Sequence, residues 1–372
     1  MTAVAVTAAE ATEVVLVDAC RSAVIPDRPG VPETPSQILE GVIGALLDRS
    51  GVDVSTVGEL FLADPRYLPT DSPHAGSLAD SGWRFEKPPF GLHTQVSATS
   101  AVSLEQALKA VEAQPDLVAV VAASDFGSGA LGHGDFDDHP PARAAAAPNR
   151  WHVDVDDVLS WTHTSYARSL ECSRAGDFTR EIVATAPGYL SDVFRCGRSP
   201  EPTPARGSSA VIVTSRARAL ELGLPWRASL RTVCSARGGD AVAPLDTKTF
   251  DALLAPCGVD AAHLDQLELP EDDPATPLAW IKSTGISEYL VNPRGGELGF
   301  GRLVRSGPLR SLVSMVGALE ATGGRAGALL ATDVGRTVAV VVTVGENSLA
   351  PLTSASGLDT LARLGGAAKL IE

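Results

Sequence analysis

The feature that most constrains this chain is a repeat. The stretch LLDRSGVDVSTVGELFLAD (46–64) aligns without gaps on LLAPCGVDAAHLDQLELPE (253–271), at an offset of 207 residues. Each copy reads as a helix end, Gly-Val-Asp, a short turn and an apolar strand. A second pair repeats the pattern: residues 96–124 and 305–332 each read as a small-residue turn, a helix and a strand. In the first of these helices Leu104, Ala107, Leu108 and Val111 share one face. Two such units so far apart predict an internal duplication. Convergence on a common α/β link would produce the same pattern. The chain has 372 residues, enough for two halves that each bury a core.

The remaining segments fit an α/β chain. EVVLVD (13–18) is an apolar run of strand length, as in a strand buried on both faces. Thr34, Pro35 and Gln37 form an N-cap, a first-turn proline and a capping box; Ile38, Leu39, Val42 and Leu46 follow helical spacing, and Gly51 closes the helix. SSAVIVTS (208–215) reads as a buried strand and ARALELGL (217–224) as a helix. Between the halves, residues 126–156 are rich in Gly, Asp, Pro and Ala, as in an extended loop. VLSWTHTSYARSLECSRAG (158–176) predicts a helix ending on glycine, and 187–206 a Pro/Arg-rich loop. The expected organisation is a first half over 13–225, carrying an insertion at 126–204, and a second half over 226–348. Tails run over 1–12 and 349–372, the latter with a short helix near Leu358–Leu364.

Composition removes several classes of function. A net charge of −15 repels phosphate backbones and anionic membranes, so neither nucleic acid nor a membrane is an expected partner. No stretch approaches the ~20 apolar residues of a spanning helix. The N-terminus lacks a basic region, and Glu10 and Glu13 break its apolar run, unlike a secretory signal. Five scattered cysteines without a CxxC pair suit a reducing cytoplasm and argue against disulfides and structural zinc.

The segments together resemble the thiolase superfamily. EVVLVDACRSAVIPDRPG resembles the thiolase opening strand and turn. GVDAAHLDQLELPEDD resembles the run into the Asn-Glu-Ala-Phe motif, and VNPRGGELGFGRLVRSGPLR the Asn-Gly-Gly, Gly-His-Pro and Ser-Gly motifs. VLSWTHTSYARSLECSRAGDFTREIV resembles the helix after the thiolase lid loop, and GGRAGALLATDVGRTVAVVV the last loop and strand with its Cys-x-Gly. The likeness runs in order from about Glu13 to about Val344. It implies a five-layer α-β-α-β-α fold of two similar halves, a homodimer, and binding of acyl-CoA or an acyl-carrier thioester. No other cofactor and no metal is expected.

The positions that would carry thiolase chemistry differ. Ser97, in VSATS, stands where thiolases open the central helix with the nucleophilic cysteine. A serine hydroxyl is a far weaker acid than a thiol and needs a base beside it. It is either a serine acyl acceptor or a small residue in an inactive site. Arg302, in GRLVR, stands at the histidine of Gly-His-Pro. Arginine stays protonated and cannot be a general base, though it can hold a carboxylate or phosphate; an ion pair with Glu297 is the alternative. The second cysteine falls on Ala331 or Thr332, and the motif glycine after it on Asp333 or Val334. An aspartate there has the wrong sign for an oxyanion. The Asn-Glu-Ala-Phe motif falls on Pro270, Glu271, Asp272 and Asp273, so its asparagine has become a proline with no donor.

Other constellations carry less. HGDFDDH (133–139) has metal-type ligands but sits in a Gly/Pro-rich run, as a solvated acidic loop would. His93 lies ~13 Å from Ser97 along an extended chain, and His74 has no assigned place. Cys20 reads as a buried, inert thiol, and Cys172, Cys196, Cys234 and Cys257 match no catalytic motif. Nothing local singles out Tyr166, Tyr189 or Tyr289 as an acid. GGELGFG lacks the features of a phosphate loop.

Two functions follow as expectations. One is a thiolase-like acyltransferase or C–C bond enzyme, repurposed around Ser97 or new residues. The other is a non-catalytic thiolase-like subunit that binds an acyl chain or pairs with an active thiolase-like or OB-fold partner, as the cysteine-less chain-length subunits of some ketosynthases do. On either, thiolysis and Claisen condensation are expected to be absent.

Overall fold

The computed structural model describes residues 12–26, 35–67, 87–126, 151–185, 191–194, 200, 202–234, 245–271, 273–333 and 336–345. Its strands are β1 (Val14–Arg21), β2 (Ile25–Pro26), β3 (Glu59–Ala63), β4 (Thr94–Val96), β5 (Val118–Phe126), β6 (Ala205–Ser215), β7 (Ala228–Cys234), β8 (Gln266–Glu268), β9 (Ala326–Asp333) and β10 (Arg336–Thr343). Its helices are α1 (Pro35–Ser50), α2 (Ser100–Ala113), α3 (Val155–Ala175), α4 (Arg216–Glu221), α5 (Thr247–Leu254), α6 (Ala275–Thr284), α7 (Glu297–Phe300) and α8 (Gly307–Thr322).

The repeat in the sequence is a repeat in space. Gly51 and Gly258 both end their helical segment with φ near +70° (70° and 73°), a conformation that glycine reaches without Cβ strain. Two residues on, Asp53 and Asp260 each cap a 3-10 turn, accepting from Ser55 N and His263 N. The strands that follow, β3 and β8, pair in parallel with β5 and β9. Those in turn pair antiparallel with β6 and β10. Helix α2 starts at Ser100 and α8 at Gly307, again 207 residues apart.

Hydrogen bonding joins the halves into one path, β4-β3-β5-β6-β1-β7-β10-β9-β8, with β2 on β6. The seam is short: β1 meets β7 only at Val15–Ser229 and Leu16–Ala228. The period-2 alternation of each strand sorts its side chains into layers. Phe61, Ala63, Val121 and Ala123 of the first half, and Leu329, Ala331, Val338 and Val340 of the second, share one core with α2 and α8. Leu60, Leu62, Val120 and Ala122 face outward onto Leu39, Val42, Ile43 and Leu46 of α1. Ala328, Leu330, Ala339 and Val341 pack with Phe250 of α5 and Trp280 of α6, whose rings meet edge to face at 5.1 Å. The layers run α1, sheet, α2 with α8, sheet, α5 with α6, which is the expected five-layer α/β fold.

The placement of α3 adds something the chain order does not suggest. The expected insertion at 126–204 belongs to the first half by sequence, yet α3 docks on the second half. Gly295 and Gly299 lie so close to it that a Cβ on either would collide with Ser169 Oγ. Arg168 Nη1 donates to Val291 O at 2.7 Å. A buried charge network then ties this region to both halves. Arg21 of β1 donates to Glu181 (2.9 Å) and Asp192 (2.7 Å), and Arg294 and Ser314 both donate to Glu181 at 2.8 Å. Residues 1–11 and 349–372 and the 133–139 run lie outside the described residues.

Candidate functional site

Strand β4 delivers Ser97 to the edge of the central layer. Its N–H donates to Leu62 O at the end of β3 (2.9 Å), and its hydroxyl donates to Gln106 Oε1 on α2 (2.7 Å). A carboxamide oxygen accepts a hydrogen bond but does not take up a proton near neutral pH, so no hydrogen-bonded base activates the serine among the described residues. His93 does not either: its Nδ1 lies 3.0 Å from Glu59 Oε1 on the exposed side of β3.

The start of α2 is locked to the segment after Arg302. Ser100 N donates to Arg305 O (3.0 Å), and Leu309 N donates to Ser100 Oγ (3.2 Å). Arg302 itself is held by its backbone, with N–H to Thr203 O (2.7 Å) and O to Ala205 N (3.1 Å). Its half-buried side chain makes no hydrogen bond or ion pair with a described residue, so the pair with Glu297 is not formed.

The two central helices differ at their N-termini. At α8, the Asp125 carboxylate at the end of β5 accepts from Arg305 N (3.0 Å), Ser306 N (2.6 Å) and Ser306 Oγ (2.7 Å). Neither N-cap side chain caps its own helix, but at α2 the buried Thr99 Oγ1 has no partner among the described residues. One turn along, Ser103 Oγ is also buried without a partner.

The other sequence-derived positions are structural or stand apart. Glu271 is wholly buried, and its carboxylate accepts from Trp161 Nε1 (3.1 Å), Ser165 Oγ (2.7 Å), Asn292 Nδ2 (2.8 Å) and Leu298 N (3.1 Å). It anchors α3 to the second half. Pro270, half-buried, precedes it, between Leu269 and the buried Asn292 that bonds both backbone groups of Leu269. Ala331 is a core residue of β9, paired with Val338, and Thr332 and Asp333 continue that ladder opposite Thr337 and Arg336. No hydrogen bond or ion pair among the described residues joins Ser97 to Arg302, Glu271 or Ala331.

Burial pushes the thiols of Cys20 and Cys172 up to about 12, so neither is a nucleophile. Tyr166 is half-buried and Tyr289 exposed; His74, Tyr189 and Cys196 lie outside the described residues. No group of three or more His, Cys, Asp or Glu placed to hold a metal is found among the described residues. No described helix is long and apolar enough to cross a membrane. Sequence reasoning passed over Thr99, Gln106 and Asp125. Carrying the 207-residue offset into the helix starts would have paired Thr99 with Ser306 and drawn attention to how each is capped.

Known proteins are similar to this chain in sequence and in shape. The steroid 3-ketoacyl-CoA thiolase FadA6 of Mycobacterium tuberculosis is 24% identical over 221 residues, 52% of this chain and 53% of that protein. Acetyl-CoA acetyltransferase 1 of Arabidopsis thaliana is 32% identical over 126 residues, 32% of this chain and 29% of that protein. The matched stretches thus span about half or less of these relatives. Among solved structures, human mitochondrial 3-ketoacyl-CoA thiolase in complex with CoA superposes with a TM-score of 0.73 at 16% identity, covering 90% of this chain and 99% of that one. The chain has the thiolase fold. The Acat5 thiolase of Ascaris suum, in complex with coenzyme A, matches it with a TM-score of 0.70 at 17% identity, over 90% and 100% of the two chains. No family model matches it.

Proposed function

We propose that this thiolase-fold chain binds an acyl thioester, from CoA or a carrier protein, without taking the acyl group onto itself. The observation that carries this reading is the Ser97 hydroxyl, which is spent on Gln106 Oε1 at 2.7 Å, with no base hydrogen-bonded to it among the described residues. Arg302, standing at the position of the expected histidine, supports it because a guanidinium does not accept a proton. The chain then works as a non-catalytic subunit in the cytoplasm, as a homodimer or beside an active thiolase-like or OB-fold partner. The serine acyltransferase reading needs more: Gln106 must release Ser97, and a base must be supplied.

Intact-protein mass after incubation with a panel of acyl-CoAs and acyl-carrier thioesters separates the two. The expected result is no adduct on the wild type, together with saturable binding of at least one thioester by calorimetry. An adduct present on the wild type and missing from Ser97→Ala would establish the serine acyltransferase instead. Thiolysis of acetoacetyl-CoA is expected to be undetectable.

A further inference from the structure

Two buried arginines lie over the ring of Phe300, which closes α7. Arg21, 5.6 Å from the ring centroid, is neutralised by Glu181 and Asp192. Arg310 of α8, 4.6 Å from it and 2% exposed, is bonded to no carboxylate. Its Nη2 donates to Ser311 Oγ at 2.7 Å, and the buried Nε and Nη1 have no partner. A guanidinium keeps its proton at any working pH, so Arg310 cannot relieve its burial by becoming neutral. A buried cation with idle donors favours a nearby anion.

The facing strand carries one. Along β8 the side chains alternate: Leu267 packs outward with Trp280, so Gln266 and Glu268 face the central layer, where α8 packs on the strand. Glu268 is 1% exposed, and Gln266 Nε2 donates to its Oε1 at 2.7 Å. Arg310 and Ser311 of α8 and Glu271 beyond the end of β8 act on its carboxyl, while the adjoining β9 brings the apolar Leu329 and Ala331 into this layer. The Ser311 hydroxyl that accepts from Arg310 thus also serves Glu268, and one hydroxyl stands between acid and base. The two do not form an ion pair in this structure. Burial pushes the Glu268 carboxyl up to about 7, against the pull of Arg310, so its charge changes near neutral pH. At the equivalent positions of the first half stand Phe61 and Ser103, so acid and base occur together in one half.

We propose that Arg310 is a two-position side chain, resting on Phe300 while Glu268 holds a proton and turning to pair with Glu268 when that proton passes to solvent. The turn exchanges a cation–π contact for a charge-assisted pair that engages the idle Nε and Nη1. It also takes from Phe300 a group that packs on it. Two residues beyond Phe300 is Arg302, held by its backbone to Thr203 and Ala205. Ionisation of Glu268 therefore loosens α7 and the segment behind it, a pH-sensitive hinge under one of the sequence-derived site positions. The device does not depend on whether the chain binds a thioester.

Two measurements on the full chain test it. The first is the Glu268 titration, read by 13C NMR of glutamate-labelled protein as the signal missing from Glu268→Gln. Wild type, Phe300→Leu, Arg310→Gln and the double variant are compared, with folding verified by circular dichroism. Arg310→Gln should raise the Glu268 midpoint by about one pH unit, because a cation near a carboxylate favours its charged form. Phe300→Leu removes the competing ring, so it should lower the midpoint by about half a unit, and only while Arg310 is present. A Phe300→Leu midpoint equal to wild type, or the same downward shift without Arg310, would overturn the proposal. The second is hydrogen exchange between pH 5 and pH 9, corrected for the intrinsic effect of pH, on wild type and Glu268→Gln. Both proteins fold for this comparison if either variant above does not. Protection of residues 297–302 should fall at least about tenfold in wild type as Glu268 ionises and stay constant in Glu268→Gln. Equal protection in the two proteins, or a loss spread evenly through the core, would mean that Arg310 does not turn.

Discussion

The starts of α2 and α8 come from one design and have been finished in opposite ways. Each begins a central helix, each follows a hydroxyl N-cap, and they are 207 residues apart. At α8 the protein closes the helix with its own Asp125 carboxylate, taking up donors that would otherwise be orphaned. At α2 it leaves a buried hydroxyl without a partner. An unsatisfied buried donor costs roughly 1–3 kcal/mol. One half satisfies its N-cap hydroxyl at this point, and the other leaves it buried without a partner.

One turn deeper both helices keep buried polar atoms without a partner, Ser103 Oγ on α2 and Arg310 Nε and Nη1 on α8, and the contrast is one of charge. Where the first half places Phe61 and Ser103, the offset gives the second half Glu268 and Arg310. Both are almost fully buried, at 1% and 2% exposure. Gln266 Nε2 donates to Glu268 Oε1 at 2.7 Å, while Arg310 Nη2 donates to Ser311 Oγ at 2.7 Å and its guanidinium lies 4.6 Å over the Phe300 ring. Burial pushes the Glu268 carboxyl up to about 7, against the opposing pull of Arg310.

The contrast can be broken most severely at its closed end. Asp125→Ala strands the Arg305 and Ser306 donors and should cost about 3–4 kcal/mol of stability in urea unfolding. A loss below about 1 kcal/mol would mean that the carboxylate is not what holds α8. The Glu268 carboxyl gives the next largest effect. A carboxyl with a raised native pKa contributes stability that is complete below its unfolded value near 4.5 and is lost as pH rises through about 7. Wild type should therefore lose up to about 3 kcal/mol between pH 4 and pH 8, relative to Glu268→Gln, which cannot titrate there. Parallel stability profiles for the two proteins would refute this. At the open end, Thr99→Val removes a hydroxyl that nothing satisfies, so its stability should stay within about 1 kcal/mol of wild type or rise. A loss above about 2 kcal/mol would reveal a hidden partner and erase the contrast. The smallest change is expected from Ser97→Ala, within about 0.5 kcal/mol, since its bond to Gln106 lies on the exposed side.

Much of the fold was legible because periodicity and turn chemistry are local. Gly51 and Gly258 announce their left-handed caps, Asp53 and Asp260 their turns, and Leu104, Leu108 and Val111 the buried face of α2. The site was legible only in part. Ser97 and Arg302 could be named as the occupants of two chemical positions, but their partners could not. Gln106 is nine residues from Ser97, and nothing in its neighbourhood marks it as the acceptor. Glu271 reads as a relic of a catalytic motif, and only its four donors from α3, Asn292 and α7 reveal an anchor.

By itself, the sequence determined that the chain is a doubled α/β unit and that its layers follow from alternating strands and amphipathic helices. Each of these depends on residue type at a given spacing, which the chain carries one position at a time. Tertiary structure alone decided that α3 crosses to the second half, that Asp125 closes α8, and that Thr99 is left unpartnered. Hydrogen bonds of buried groups are settled between residues as far apart as Asp125 and Ser306, whose meeting depends on how the layers stack.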